Sequence, residues 1–212
     1  LATLGITDNR LKFIATGGMG TGVSHARNCG LKAACGNIIA NLDSDDALDR
    51  NYLQQSVPLA LAYGAVQTQI RFIEDTTGKE LSNCGLEYSS RVLQLDTLYS
   101  ACVHTYASIV YDRKKINFGW NEHIPLLEDA VFTAECAARL GGVYYQAEPL
   151  YDYYHRKDSL CNADDAPARF RKATQVIRKR IEAGEICAED PKAQAIMLAY
   201  LTRNDVIELA LE

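Results

Sequence analysis

Most features that assign a function by themselves are absent from this 212-residue chain. Its seven cysteines, at positions 29, 35, 84, 102, 136, 161 and 187, include no CxxC pair, which excludes a zinc knuckle or a thioredoxin-like redox motif. No uninterrupted apolar run is long enough to span a bilayer. No basic n-region followed by an apolar h-region opens the sequence. The glycine-rich stretch from Gly17 to Gly22 lacks the following Lys-Ser/Thr of a phosphate-binding P-loop. Internal repeats and low-complexity segments are missing. The net charge of −5 offers no cationic excess for nonspecific binding to nucleic acid or anionic membrane. Scattered cysteines, odd in number, fit a reducing compartment in which they serve as small apolar groups, so a cytoplasmic location is expected.

What remains is an ordinary globular composition, 48% apolar and 23% charged. A chain of this length buries most of the surface its unfolded form exposes and needs no disulfides. Residues 1–9 read as a helix end and a turn. Residues 10–15 alternate and predict a short strand. Residues 23–35 predict a helix, with Gly36 placed to end it. Residues 37–42 form a compact apolar strand. The next helical pattern, residues 49–63, holds Pro58, which is expected to kink or split it, and Gly64 closes it. In residues 65–73 Val66, Thr68, Ile70 and Phe72 fall on one face, predicting a half-buried strand. Residues 74–80 are a turn and residues 106–112 another strand. A helix begins near Glu128 and ends at Gly141-Gly142. Residues 143–148 predict a strand broken by Pro149. From Ala166 onward the pattern is helical, with Asp190 and Pro191 marking a helix start. The basic residues Arg169, Arg171, Lys172, Arg178, Lys179 and Arg180 are interleaved with Phe170, Val176, Ile177 and Ile181, the pattern of a solvated helix face. Strands alternating with helices give an α/β domain over residues 1–160, and residues 161–212 a helical extension.

The densest chemical signal is Asp43-Ser44-Asp45-Asp46 at the carboxyl end of a predicted strand, where open α/β sheets bind ligands. Three carboxylates this close repel, and each raises the proton affinity of the others. A hard divalent cation, Mg²⁺ or Mn²⁺, relieves the repulsion and bridges such a loop to a diphosphate. An Asx turn that caps the following helix accounts for the same four residues.

The surrounding sequence, GVSHARNCGLKAACGNIIANLDSDD, resembles the central block of family 2 glycosyltransferases. That block runs from a Gly-x-Ser/Ala-x-Ala-Arg-Asn helix through an apolar strand to an Asp-x-Asp-Asp motif. A second block, GWNEHIPLLEDAVFTAECAARLGGVYYQAEPLYDYYHRKDSL, is similar to the downstream half, where a Glu-Asp pair opens a helix and a Tyr-rich segment with His or Arg follows. Together the similarity covers roughly residues 5–160.

The resemblance implies a GT-A fold: a Rossmann-like mixed central sheet flanked by helices, here with the C-terminal helical extension. It also implies transfer of a sugar from a UDP- or GDP-linked donor to a saccharide, lipid or protein acceptor, the chemistry of polysaccharide biosynthesis among others. Asp43 would face the donor ribose, and Asp45 would bind the divalent metal that holds the diphosphate. Asp46 would support that site or touch the donor sugar, and Arg27 would lie near the nucleotide and the acidic loop. Asp129 would be the general base of an inverting enzyme, and His155 the candidate histidine completing the metal shell. The family's opening strands, which bind the base and ribose, have no counterpart here, so the chain is expected to be N-terminally incomplete. A retaining transferase on the same scaffold and a non-catalytic relative are the competing readings. Among weaker candidates, His25 reads as structural, and His104 and His123 as possible acceptor neighbours. Trp120 reads as core, and the tyrosines at 144, 145, 151, 153 and 154 as strand formers.

Overall fold

The structure, a computed structural model, describes residues 8–18, 20–81, 89–100, 108–156 and 164–211. The expected helix end at residues 1–9 lies almost wholly outside them. Six strands and six helices follow one another as α1 (Val23–Ala33), β1 (Ile38–Ala40), β2 (Ala47–Leu48), α2 (Tyr52–Tyr63), β3 (Ala65–Glu74), β4 (Arg91–Leu93), α3 (Leu95–Ser100), β5 (Ile109–Asp112), α4 (Glu128–Leu140), β6 (Val143–His155), α5 (Ala166–Glu182) and α6 (Pro191–Leu211). The strands make one mixed sheet in the order β1-β5-β3-β6-β2, with β4 also on β6. Only β3 and β6 run parallel, and the other pairs are antiparallel. The two short strands share the outer edge of the long β6: β4 at residues 143–145, β2 at residues 151–152.

β3 corrects the expectation of a half-buried strand. It lies between β5 and β6, and residues 65–70 are buried on both faces. Its glutamines survive burial because they are paired: Gln67 Nε2 donates to Ser108 Oγ, and Gln69 Oε1 accepts from the Tyr145 hydroxyl at 2.9 Å. Alternating residues divide the core in two. Val66, Ile70, Val110, Leu150 and Tyr151 pack with Tyr52 and Ala60 of α2 on one face. Ala65, Ile109, Tyr111 and Tyr145 pack on the other with Phe132 of α4, Ile177 and Ile181 of α5, and Met197 and Leu201 of α6. α5 and α6 therefore share a single apolar cluster with the sheet, although the sequence marks them as an extension.

Four local expectations are corrected. Residues 10–15 form no strand, and Leu11, Phe13 and Ile14 are exposed; alternation makes a strand only where a neighbouring ladder accepts its backbone groups. α1 stops at Ala33, where Ala34 is extended, so Gly36 does not end it. α2 runs unbroken through Pro58 and ends at Gly64, whose φ of 95° suits only glycine. β6 runs through Pro149, which sits opposite Gln69 at an irregular register, the place where a strand tolerates a missing N–H. Strands β2 and β4 and helix α3 had no signal in the sequence. Asp190 caps α6 as expected, its Oδ1 accepting from Ala193 N–H at 2.9 Å. Among the described residues no helix is long and apolar enough to cross a membrane.

Candidate active site

The loop leaving β1 carries the three aspartates, and each meets a different partner. Asp43 accepts from the Arg27 guanidinium with both oxygens, at 2.9 and 3.0 Å. Asp46 accepts from the Tyr151 hydroxyl at 2.8 Å and from Tyr154 N–H at 3.0 Å. Asp45 pairs with Arg156 at the end of β6. The backbone closes a turn, Asp46 N–H donating to Asp43 C=O at 3.2 Å. None of the three caps α2, whose N-terminal flank is Asn51 without a side-chain cap bond. The helix-capping account of this tetrapeptide therefore does not apply. Burial lifts the Asp46 carboxyl to about 6 against the two hydrogen bonds, and the charges of Asp45 and Asp43 push the same way.

Arg27 projects from α1 and joins this loop to the start of α4. Its second terminal nitrogen donates to Glu128 Oε1 at 2.9 Å. The guanidinium carbon lies 4.4 Å from the centre of the Trp120 ring, and that ring stacks on Phe132 at 4.2 Å. Desolvation works against the charge on Arg27, but Asp43 and Glu128 outweigh it and hold the group more firmly protonated than usual.

Glu128 and Asp129 open α4 behind Leu127, a non-glycine residue held in the left-handed region at φ 65°. That conformation costs on the order of 1–2 kcal/mol and persists only where the surroundings enforce it. Asp129 is half-buried, and its Oδ1 accepts from the neighbouring Ala130 N–H at 2.7 Å. Desolvation first and the adjacent Glu128 second raise its carboxyl to about 8, against the opposing pull of Ala130 N–H and Arg27.

One turn of α1 also clamps the loop before α4. Asn28 Oδ1 accepts from Trp120 N–H, and its amide donates to Trp120 C=O and to Glu122 Oε1, each at 2.8 Å. His25 Nδ1 lies 2.8 Å from Glu122 Oε2, a second contact from α1 to the same loop. Gly119 is required by this close approach, because a Cβ there would come within 2.5 Å of Asn28 Oδ1. Gly119→Ala is expected to cost roughly 1–3 kcal/mol of stability, as overpacking does. A urea titration in which the midpoint falls at unchanged slope checks this.

The donor chemistry of Asp45 suits a hard cation. It is an oxygen ligand, about one-third exposed, and its partner Arg156 is itself exposed. Asp43 and Asp46 have both oxygens engaged elsewhere. Among the described residues no three His, Cys, Asp or Glu side chains converge as a cage. No hydrogen bond or ion pair joins the His155 ring to the aspartates, while Tyr154 N–H and Arg156 on either side of it bond Asp46 and Asp45. His123 is exposed, and His104 lies outside the described residues. Two concavities of about 510 and 610 Å³, one lined by Leu31, Lys32 and Arg113, the other by Glu135, Arg139 and Glu185, do not include the aspartates. Sequence reasoning missed Glu128, Asn28, Tyr151 and Arg156 as partners. All four lie inside the runs that carry the family resemblance, Asn28 in Ala-Arg-Asn, Glu128 in the Glu-Asp pair, and Tyr151 and Arg156 in the Tyr-rich segment, but nothing local says which charge each one meets.

Comparison with known proteins bears on the family and the fold. No curated protein matches the sequence significantly. Solved structures of S. aureus TarS do match in fold. TarS 1-349 in complex with UDP aligns at a TM-score of 0.51 and 14% identity, over 76% of this chain and 52% of that one. A longer TarS structure aligns at a TM-score of 0.51 and 13% identity, over 89% and 42%. The chain thus spans about half the length of the solved structures it matches. The sequence model of glycosyl transferase family 2 matches residues 4–117, more than half of the chain, and ends just before the Gly119–Asn28 clamp. The chain, with its mixed GT-A sheet and its acidic loop after β1, belongs to glycosyl transferase family 2.

Proposed function

We propose that this protein transfers a sugar from a nucleotide diphosphate donor to an acceptor hydroxyl with inversion, using Asp129 as base and Asp45 as the metal-holding carboxylate. The observation that carries the reading is the Asp43–Arg27–Glu128 bridge, which sets the acidic loop beside the start of α4. On this reading the loop carrying Asp45 and the helix start carrying Asp129 form the two sides of one site. Asp45 is accessible and paired only at the surface. Asp129 is half-buried and prone to hold a proton.

A divalent ion, Mg²⁺ or Mn²⁺, held by Asp45 would supply positive charge against the departing nucleoside diphosphate. Asp45 would hold it together with the donor phosphates, the sparse protein ligation such ions accept. Asp43, fixed by Arg27, faces the donor ribose, and Asp46, fixed by Tyr151 and Tyr154, supports the loop from beneath. Asp129 takes the proton of the acceptor hydroxyl on the opposite face of the sugar, which inverts the anomeric carbon. A base near the working pH performs that transfer best. The dipole at the start of α4 favours the ionised form, while burial opposes it. The acceptor is a saccharide, lipid or protein hydroxyl.

Donor class is tested by thermal shift. UDP or GDP with Mn²⁺ at 100 times its dissociation constant is expected to add about 2.7 kcal/mol of stability. UDP is the first probe because it is the ligand of the matching TarS structure. A melting temperature unmoved by every nucleoside diphosphate would sink the proposal.

A further inference from the structure

We propose that Arg27 is a positioning residue that acts through two carboxylates, fastening the Asp43 loop to Glu128 so that donor side and base side of the site move as one body. The inference rests on the reading of Asp129 as base and goes beyond it, because the residue touches neither donor nor acceptor in this role.

Three observations carry it. The Arg27 side chain is only 9% exposed, which leaves little surface for a ligand. Both terminal nitrogens are engaged, one with Asp43 and one with Glu128, on segments 85 residues apart in sequence. The face of the guanidinium lies on Trp120, which is itself fixed through Asn28 of the same helix and by stacking on Phe132. An arginine fork is suited to this because its planar donors meet two acceptors at fixed angles, which a lysine ammonium on a flexible stem does not. No other described side chain bonds both segments.

The consequence for the chemistry runs through Glu128. Asp129 is faced by Glu128 on its own helix, by Arg27 from α1, by Asp43 from the loop after β1 and by Tyr99 from α3, which stacks on Tyr200 of α6. Glu128 raises its proton affinity and Arg27 lowers it. By offsetting the charge of Glu128, Arg27 lowers the proton affinity of the base below what burial and Glu128 alone would give it. Loss of the strut therefore has a signature that loss of packing does not: the base titrates at higher pH.

The test needs no donor. Aspartate carboxyl carbons are labelled with ¹³C, and the Asp129 resonance is assigned by its disappearance in Asp129→Asn. Arg27→Met keeps the apolar stem over Trp120 and removes the charge and the fork. It is expected to raise the Asp129 midpoint by about one pH unit. Glu128→Gln is expected to lower it, and the double variant to titrate near the unmodified protein. If Arg27→Met fails to fold, Arg27→Lys serves. It keeps the cation but reaches only one carboxylate, and is expected to shift the midpoint in the same direction by a smaller amount. An Asp129 midpoint that neither variant moves would overturn the proposal, whatever happens to melting temperature. A protein inactive with every donor would defeat the transferase reading while leaving this titration intact, so the two failures are distinguishable.

Discussion

Asp129→Asn is expected to lower turnover by about 10²–10⁴-fold while leaving the protein at least as stable as before at pH 8 and above. The two effects have one cause. A carboxyl that binds its proton more tightly folded than unfolded stabilises the fold fully only below its unfolded value of 3.8. That contribution is lost as pH rises from there to about 8, because the folded state must either keep the proton or hold a charge out of water. Asparagine carries no charge at any pH, and its carbonyl oxygen can still accept from Ala130 N–H. Melting curves across pH 6–9 check the stability arm. In the unmodified protein the rate should climb with pH and level off above about 8, since only the ionised base accepts the acceptor's proton. Asparagine abolishes that rise. A variant with undiminished turnover would remove Asp129 from the chemistry, and one that simply unfolds would make it a packing residue.

Asp45→Ala is expected to abolish the metal dependence of donor turnover at almost no cost in stability. The carboxylate is about one-third exposed, and its ion pair with Arg156 is a surface pair, worth about 0–1 kcal/mol. The melting temperature should therefore barely change. The charge a divalent ion supplies to a leaving diphosphate is worth several kcal/mol, so turnover should fall on the order of a thousand-fold. Titration of Mn²⁺ against donor hydrolysis separates this from a general defect, because no metal concentration should restore the variant. Full activity, or rescue at modestly higher Mn²⁺, would assign the ion to other groups.

How far the sequence reached differs by element. Helices α2, α4 and α6 were legible from local end signals, Gly64, Gly141 and Asp190-Pro191, and α1 from its residue pattern although its end was misplaced. β1 was legible from a short apolar run, and the Asp-x-Asp-Asp loop follows it directly. β2 and β4 were not, because two or three residues hold no period. Their existence depends on the length of β6, whose outer edge offers two separate docking places. β3 was read as a strand, but its burial on both faces follows from its place between β5 and β6. Neither neighbour is adjacent to it in sequence.

The same division governs the site. The sequence determined the family and named the residues Arg27, Asp43, Asp45, Asp46 and Asp129, since those lie in short runs whose spacing is local. Which charge meets which was decided only by the tertiary structure. Arg27 and Glu128 are separated by 101 positions and Asp46 and Tyr151 by 105. Their pairing depends on how α1 and β6 cross the loop after β1. His155 and Arg156 are neighbours in sequence, yet it is Arg156 that meets Asp45. A one-dimensional pattern fixes which groups are present, whereas burial and partnership, which set their proton affinities, are properties of packing in three dimensions.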